Sequence, residues 1–203
     1  MDNKEKVIVY IDGFNLYFGI KSKFPHAKWL NMWAFAKSLL KPEQELVEVK
    51  YFTSRVSNNP NKEKRQGDYL SVLKSTPLKI FYGQYKSKPI TCKSCGHSWA
   101  NNEGKMTDVN IAVHMITDAM QDRYDSALLV SGDSDLVPPI KTIHDYFAPK
   151  RVIVAFPPDR FNNSVKNVAK GSFIIGKPKL MQNQFPLVVT LASGYEITKP
   201  TDW

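Results

Sequence analysis

The sequence has few cysteines and no long apolar segment. Its two cysteines among 203 residues are too few for a disulfide framework, so a reducing cytoplasm is expected. No run of residues is long and apolar enough to span a bilayer, and the polar segment 1–6 does not resemble a secretory signal. A Gly-x-Gly-x-x-Gly motif after the first predicted strand and a Gly-Lys-Ser/Thr loop are also missing, which argues against a dinucleotide-binding or P-loop enzyme. We therefore expect a cytoplasmic protein without a membrane partner.

Acidic residues are outnumbered in this chain. There are 19 Asp and Glu against 28 Lys and Arg, which gives a formal net charge of +9. A positive field of this size attracts polyanions and makes their binding depend on salt. Since 42% of the residues are hydrophobic, the chain has enough apolar material for one domain with a sizeable core. The composition thus favours a single basic domain whose partner is a nucleic acid.

One pair of acids follows a predicted buried strand. The apolar run Ala127–Val130 indicates a strand covered on both faces, and after Ser131 and Gly132 come Asp133 and Asp135. The carboxyl ends of strands in open parallel sheets are where ligands bind. Two alternatives remain open at this point, an acidic loop without a function and a capping role for Asp133 at the following helix.

Two further acids are expected at the same sheet edge. The apolar strand Val7–Ile11 ends at Asp12, with Asn15 just beyond it. Asp108 begins a predicted helix that leads into the strand at 127, so it should lie level with that strand's carboxyl end. A stabilising interaction with the helix dipole would explain Asp108 by itself. Several carboxylates meeting at one edge, however, would require a cation to relieve their repulsion.

Helical periodicity predicts which residues of the first helices and of the helix at Asp108 are buried. The segments Gly13–Lys23 and Trp29–Leu40 carry many aromatic residues, which could stack on nucleobases but at helical spacing are expected to be mainly core. Asp118 and Asp122, four residues apart, are expected on a solvated face of the helix that begins at Asp108.

Three short acidic motifs resemble those of the NYN domain family, a branch of the PIN-like nucleases. They are Ile11-Asp-Gly-Phe-Asn15, Thr107-Asp-Val-Asn-Ile-Ala112 and Leu129-Val-Ser-Gly-Asp-Ser-Asp135-Leu-Val-Pro138. The resemblance covers roughly residues 5 to 175. It implies a Rossmann-like three-layer α/β/α fold, and it implies Mg²⁺ or Mn²⁺ bound for phosphodiester hydrolysis. Carried over by position, the metal-binding or catalytic acids would be Asp12, Asp108, Asp133 and Asp135, supported by Asn15 and Ser131.

The strand–helix alternation supports the same fold class. It repeats about five times and predicts right-handed crossovers and a mostly parallel central sheet of about five strands. We expect a nuclease domain over residues 1–175, interrupted by an insertion at about 85–104. Residues 176–203 would form a C-terminal extension packed on that domain.

Several basic residues are candidates for binding phosphate. Lys62, Lys64 and Arg65 form a positive cluster at the start of a predicted helix. Arg160 follows the last predicted central strand, at the edge expected for the acids, and Lys105 lies at the end of the insertion. A guanidinium can contact two phosphate oxygens at once.

The insertion contains the segment Cys92-Lys-Ser-Cys95-Gly-His97. Its Cys-x-x-Cys-Gly turn is typical of a zinc knuckle, and thiolates suit a soft cation. A closed structural zinc site needs four ligands, and this segment offers three, Cys92, Cys95 and His97. His97 follows Cys95 by only two residues, which is short for two ligands of one zinc ion. A stapled pair, a half-site completed by another subunit and a substrate-contacting flap remain alternatives.

The sequence thus predicts a metal-dependent nuclease that acts on RNA rather than DNA through a metal-activated water. The first alternative is a non-catalytic RNA-binding or partner-binding module that retains the acidic pocket. A second is a magnesium-dependent phosphatase on the same α/β plan. A homodimer is compatible with either reading, but no residue in the sequence identifies an interface.

Overall fold

A six-stranded, all-parallel sheet lies at the centre of the molecule. The structure is a computed structural model that describes residues 4–201 and 203, without the side chains of residues 85–90 and 99–105. The strands are β1 (Glu5–Asp12), β2 (Gln44–Thr53), β3 (Lys79–Tyr82), β4 (Gln84–Thr91), β5 (Ser98–Lys105), β6 (Ser126–Val130), β7 (Arg151–Phe156), β8 (Gly171–Ile174), β9 (Val188–Thr190) and β10 (Glu196–Thr198). The central sheet has the order β3-β2-β1-β6-β7-β8.

Helices follow the strands in the alternation that a parallel sheet requires. They are α1 (Gly13–Lys23), α2 (Met32–Ser38), α3 (Pro60–Lys74), α4 (Thr107–Met120), α5 (Val137–Tyr146), α6 (Asn163–Val168) and α7 (Lys177–Met181), with short 3-10 segments at Pro25–Ala27 and Ser134–Leu136. None of these helices, within the described residues, is both long enough and apolar enough to cross a membrane.

The side chains of β1 alternate between two cores. Val7, Val9 and Ile11 join a cluster with residues of α1, α2 and α3. Ile8 and Tyr10 face the opposite way and join residues of α4 and α5. Because successive side chains of a strand point to opposite faces, β1 is buried on both sides. The predicted three-layer α/β/α arrangement is confirmed, with one more strand in the sheet than expected.

The extra strand is β8, at the edge of the sheet beside β7. Its pairing is short, running from Gly171 opposite Ile153 to Ile174 opposite Phe156. At the other edge, β3 pairs with β2. A four-residue segment has too few alternations of apolar and polar residues to be assigned as a strand from the sequence pattern alone.

The strand order reverses between β1 and β6, which lie side by side at the middle of the sheet. From β1 the chain proceeds to β2 on one side, whereas from β6 it proceeds to β7 on the other. The two crossovers diverge and leave a crevice at the carboxyl ends of β1 and β6, where open α/β sheets bind ligands. Asp12 ends β1, and Ser131 directly follows β6.

The predicted insertion contains an antiparallel hairpin formed by β4 and β5. Its register runs from Gln84 opposite Lys105 to Thr91 opposite Ser98. The hairpin pairs with no strand of the central sheet within the described residues. It joins β3 to α4, directly before the helix turn that carries Asp108.

Residues after 176 contact the first helical layer. The ring of Trp29 lies 6.0 Å from that of Phe185 and 6.0 Å from that of Trp203, measured between centroids. The Trp29 indole also donates a hydrogen bond of 2.9 Å to the carbonyl of Pro186. The domain boundary near residue 175 stays a prediction, although these contacts place the later segment on the α1–α3 side of the sheet.

A buried charge network lies beneath α4. Asp118 is 2% exposed and accepts hydrogen bonds of 2.6 Å from each of Tyr10, Lys50 and Arg123. The expectation that Asp118 lies on a solvated face of α4 is therefore wrong. Asp122, by contrast, is exposed and pairs with Lys150 at 2.5 Å. A charged residue on a helix that packs over a sheet can turn inward when the strands beneath it supply partners.

Candidate metal centre and pocket

Asp12 is a buried carboxylate held at the end of β1. It is 4% exposed, and it caps α1 by accepting the backbone N–H of Asn15 at 3.0 Å. Its second carboxylate oxygen accepts the hydroxyl of Ser131 at 3.0 Å. One oxygen is thus oriented by Asn15 in α1 and the other by Ser131 just after β6, so the position of this group depends on the pairing of β1 with β6.

The turn after β6 is tied to the same group. The Ser131 hydroxyl accepts the N–H of Asp133 at 3.1 Å, and the Asn15 side-chain oxygen accepts the N–H of Gly132 at 3.1 Å. A Cβ added at Gly132 would lie 1.7 Å from the carbonyl oxygen of Arg160. Only glycine allows this close approach, and the approach fixes the path that brings Asp133 to the crevice.

Asp108 arrives from α4. It is half-buried in the first turn of the helix, preceded by Met106 in a left-handed conformation with φ of 71°. One carboxylate oxygen from each of Asp12, Asp108 and Asp133 lies within 4.8 Å of the others. We call these three residues the acidic cluster. It is the one group of three or more metal-type ligands among the side chains that the structure describes.

Mutual repulsion and burial raise the pKa values of two carboxyl groups of the acidic cluster. Burial, followed by the charges of Asp108 and Asp133, raises the pKa of Asp12 to about 7, although the hydrogen bonds from Asn15 and Ser131 oppose the shift. Burial and the charges of Asp133 and Asp135 also raise the pKa of Asp108. Ionising Asp12 and Asp108 in the folded protein therefore costs free energy that a cation would recover.

The donor set of the acidic cluster fits a divalent cation. Among the described side chains, no lysine or arginine forms an ion pair with Asp12, Asp108 or Asp133. Hard carboxylate oxygens are preferred by Mg²⁺, Mn²⁺ and Ca²⁺ rather than by soft cations. An acidic triad of this kind can bind a divalent metal.

Asp135 lies beside this cluster rather than within it. It is exposed, and its backbone N–H donates to a carboxylate oxygen of Asp133 at 3.0 Å. Its charge is close enough to contribute to the raised pKa of Asp108. A 3-10 turn at Ser134–Leu136 separates the two side chains, and the carboxylate of Asp133 caps that turn. Asp133 therefore caps the following turn, as one of the sequence-based alternatives proposed, and also belongs to the acidic cluster.

A pocket of about 450 Å³ opens beside the acidic cluster. Its size lies within the range of small-ligand sites. It is lined by the acids Asp12, Asp108 and Asp133, by the cations Lys21, Lys62, Arg65 and Arg160, by the aromatic residues Phe14, Tyr17, Phe18, Tyr51, Tyr69 and Trp203, and by Gly13, Asn15, Thr53, Val56, Gln66 and Thr107. The pocket thus combines carboxylates, cations and a broad aromatic wall.

The structure separates the predicted phosphate contacts into two groups. Lys62, Arg65 and Arg160 line the pocket. Lys64 does not, since its ammonium extends to Asp68 at 2.9 Å on the exposed side of α3. The side chain of Lys105 is outside the described set, so its predicted role stays a prediction.

The cysteine segment forms the turn of the β4–β5 hairpin. The N–H of Cys92 donates to the carbonyl of His97 at 2.8 Å, and Gly96 has a positive φ of 71°. Cys92 and Cys95 are free thiols, and Cys95 is exposed. In the described part of the chain these two residues and His97 do not form a three-ligand group. Zinc binding therefore stays a prediction that nothing in this turn strengthens.

Sequence reasoning missed most of the aromatic wall. Phe14 and Phe18 were assigned mainly to the core, yet Phe18 is 47% exposed and both line the pocket. Their i, i+4 spacing immediately after Asp12 was the available signal. For Trp203 the sequence carries no signal, because this residue reaches the pocket from the other end of the chain.

Comparisons with known proteins agree with this geometry. The sequence matches the family described as the NYN domain over residues 6–177. A solved structure of a protein of unknown function from Vibrio parahaemolyticus superposes with a TM-score of 0.62 at 22% identity, covering 87% of this chain and 96% of that one. At this identity the likeness concerns the fold alone.

A curated relative is the 6-hydroxy-3-succinoylpyridine 3-monooxygenase HspA of Pseudomonas putida, which is 24% identical over 77% of this chain. The match spans 61% of that relative's length, so a sizeable part of the relative has no counterpart in the aligned region.

Proposed function

Since the chain belongs to the NYN domain family, a branch of the PIN-like nucleases, we propose that it is a metal-dependent ribonuclease that hydrolyses phosphodiester bonds. The observation that carries this proposal is the meeting of Asp12, Asp108 and Asp133 within 4.8 Å at the topological switch point of the sheet. These residues come from three separate elements. Repulsion among them favours the binding of a divalent cation.

In this proposal Asp12 and Asp133 hold Mg²⁺ or Mn²⁺, and Asp108 completes the set of protein ligands. When bound, such an ion lowers the pKa of water and neutralises charge on the scissile phosphate. Ser131 fixes one oxygen of Asp12 through its hydroxyl, and Asn15 fixes the other through its backbone N–H. Asp135, exposed beside Asp133, would orient water at the mouth of the cluster.

The cations of the pocket would hold the substrate backbone. Lys62 and Arg65 approach from α3, and Arg160 approaches from the loop after β7. Arginine suits this role because its planar fork can contact two phosphate oxygens. The net charge of +9 supports a polyanionic substrate, and we propose single-stranded RNA as the form that binds.

Cleavage of a labelled single-stranded RNA in Mn²⁺ or Mg²⁺ tests the proposal. We expect the wild-type protein to cut the strand, EDTA to stop it, and Asp12→Asn and Asp133→Asn to lower the rate by at least about 100-fold, since each removes a metal ligand. Asp145→Asn is the matched control, because Asp145 is an exposed acid in the last turn of α5 and does not line the pocket.

RNA binding, measured by fluorescence anisotropy in EDTA, separates the alternatives. For a nuclease, binding should persist or tighten in the two Asn variants while cleavage is lost. Metal-independent binding without cleavage by the wild type would instead indicate a binding module. Hydrolysis of a small phosphomonoester with RNA left intact would indicate a phosphatase. A DNA strand of the same sequence tests the preference for RNA.

A further inference from the structure

An aromatic surface adjoins the acidic cluster on α1. Phe14 and Phe18, one turn apart, lie with their ring centroids 6.2 Å apart and their planes inclined by only 25°. Phe18 is 47% exposed, and both rings line the pocket that contains Asp12. We call this pair of rings the aromatic platform. Phe14 follows Asp12 by two residues, so the platform begins directly beside the metal ligands.

The aromatic platform is held in a fixed position. A Cβ at Gly19 would lie 2.5 Å from the carbonyl oxygen of Pro158, so α1 packs tightly against the loop after β7. At the end of the helix, Asp159 accepts a hydrogen bond of 3.0 Å from Ser22 and forms an ion pair of 3.4 Å with Lys23. A ring that is exposed on a rigid helix loses little entropy when a ligand stacks on it.

Cations line the same pocket as the aromatic platform. Lys21 lies on α1 one turn beyond Phe18, and Lys62 and Arg160 reach the pocket from other elements. Flat apolar rings and cations in one pocket match the two parts of a nucleotide, a base with a π face and a phosphate. Stacking on aromatic side chains is the usual way in which proteins hold unpaired bases.

The pocket's volume limits what can enter it. About 450 Å³ accommodates a ligand of about one nucleotide, whereas bases paired inside a duplex expose only their edges in the grooves. A base must leave its stack before it can contact such a surface, and this costs a few kcal/mol in a duplex. The geometry therefore selects against paired strands.

We propose that the aromatic platform of Phe14 and Phe18 is a subsite that stacks one unpaired base next to the scissile phosphate. This inference rests on the proposed nuclease function, because it places the base relative to the acidic cluster. It adds that recognition of an unpaired base, in addition to phosphate contacts, selects the substrate. Phe18, the more exposed ring, is then a specificity-determining residue.

The test compares Phe18→Ala with Phe173→Ala and Phe18→Tyr. Phe173 is a matched control, since it is 38% exposed and lies on the edge strand β8 outside the pocket. Binding of a 12-nucleotide single-stranded RNA is measured in EDTA, so that it does not depend on cleavage. The same binding assay is repeated with one abasic position moved along the strand. In a separate assay with Mn²⁺, cleavage of the single strand is compared with cleavage of the strand annealed to its complement. Circular dichroism and thermal unfolding check that each variant is folded.

We expect Phe18→Ala to weaken binding by about 5- to 100-fold, the usual range for losing one base-stacking ring, while Phe18→Tyr and Phe173→Ala remain close to wild type. One abasic position should weaken wild-type binding but have little further effect on Phe18→Ala. The duplex should be cut at least about tenfold more slowly than the single strand.

Failure of this inference and failure of the proposed function give different results. If the wild type cuts RNA but Phe18→Ala binds normally, or if the duplex is cut equally well, the base subsite is refuted and the nuclease stands. If the wild type never cuts but Phe18→Ala still weakens binding of the single strand, the subsite stands and the nuclease proposal does not. An equal loss of binding in Phe173→Ala would also refute the subsite, because the effect would not be local.

Discussion

Replacing Asp12 by Asn should stabilise the metal-free protein. The carboxylate of Asp12 is 4% exposed and faces two other acids, and its pKa is raised to about 7. Because an unfolded aspartate titrates near 3.9, the folded protein holds this proton more tightly between about pH 4 and pH 7. The free energy of unfolding therefore falls as the pH rises through this window, and remains lower above pH 7.

The magnitude follows from the size of the shift. About three pKa units correspond to about 4 kcal/mol of lost stability at pH 8. Asparagine caps a helix as well as aspartate does, so the bond from the N–H of Asn15 should survive the substitution. The Ser131 hydroxyl, which now donates to Asp12, would have to accept from the new amide, at a cost of about 1 kcal/mol. We expect a net gain of about 3 kcal/mol, or roughly 6–12 °C in Tm for a chain of this size.

Thermal unfolding in EDTA at pH 8 and at pH 5 measures the effect. At pH 8, Asp12→Asn should unfold at a higher temperature than the wild type, and at pH 5 the difference should largely vanish, because the wild-type carboxyl is then protonated. Addition of Mn²⁺ at pH 8 should raise the wild-type Tm and leave the variant nearly unchanged. The control Asp145→Asn should shift Tm by less than about 2 °C in every condition. A variant that is less stable than wild type in EDTA at pH 8 would refute the reasoning.

Three other substitutions give separate predictions. Gly132→Ala should destabilise the fold by about 1–3 kcal/mol and abolish stabilisation by Mn²⁺, since its Cβ would lie 1.7 Å from a backbone carbonyl oxygen. Urea unfolding with and without Mn²⁺ measures both effects. Stabilisation by Mn²⁺ equal to that of the wild type would contradict the prediction. Asp118→Ala should cost about 3–5 kcal/mol, because it leaves the ammonium of Lys50 buried without its partner at 2.6 Å; a loss below 1 kcal/mol in urea unfolding would show that the network is dispensable. Lys62→Ala should lower the slope of log K against log salt concentration for RNA binding by about one unit. Lys64 lies outside the pocket, so Lys64→Ala should leave this slope unchanged. Equal effects of the two substitutions in an anisotropy titration would argue against a phosphate contact within the pocket.

The central strands and the family could be predicted from the sequence because their signals are local. The apolar runs at 7–11 and 127–130 lie in β1 and β6 and are buried as expected. A strand covered by helices on both faces consists almost entirely of apolar residues, and such a run can be recognised in the sequence. Each run ends near an acid, and parallel strands bring their carboxyl ends to one edge. The expectation that Asp12, Asp108, Asp133 and Asp135 approach one edge of the sheet therefore rested on strand direction and on the helix start at Asp108.

The errors lie where partners are distant in sequence. Asp118 was placed on a solvated face because helical periodicity does not show that Lys50 and Arg123 reach the same point from another strand and from a loop. Lys62 lines the pocket and Lys64 does not, because residues two apart on a helix point in different directions; a phosphate contact by Lys64 stays a prediction. Local charge patterns do not specify which side of a helix faces a pocket.

The sequence by itself determined the family and the parallel α/β fold, and it predicted that four acids, Asp12, Asp108, Asp133 and Asp135, would meet at one sheet edge; the structure brings the first three within 4.8 Å of one another. Only the tertiary structure decided the pocket beside them, since its walls come from α1, α3, the loop after β7 and Trp203. It also decided the exposure of Phe18 and the burial of Asp118. The physical reason is that strand burial and strand direction are encoded in short runs of residues, whereas the shape of a cavity depends on how separate elements pack against one another.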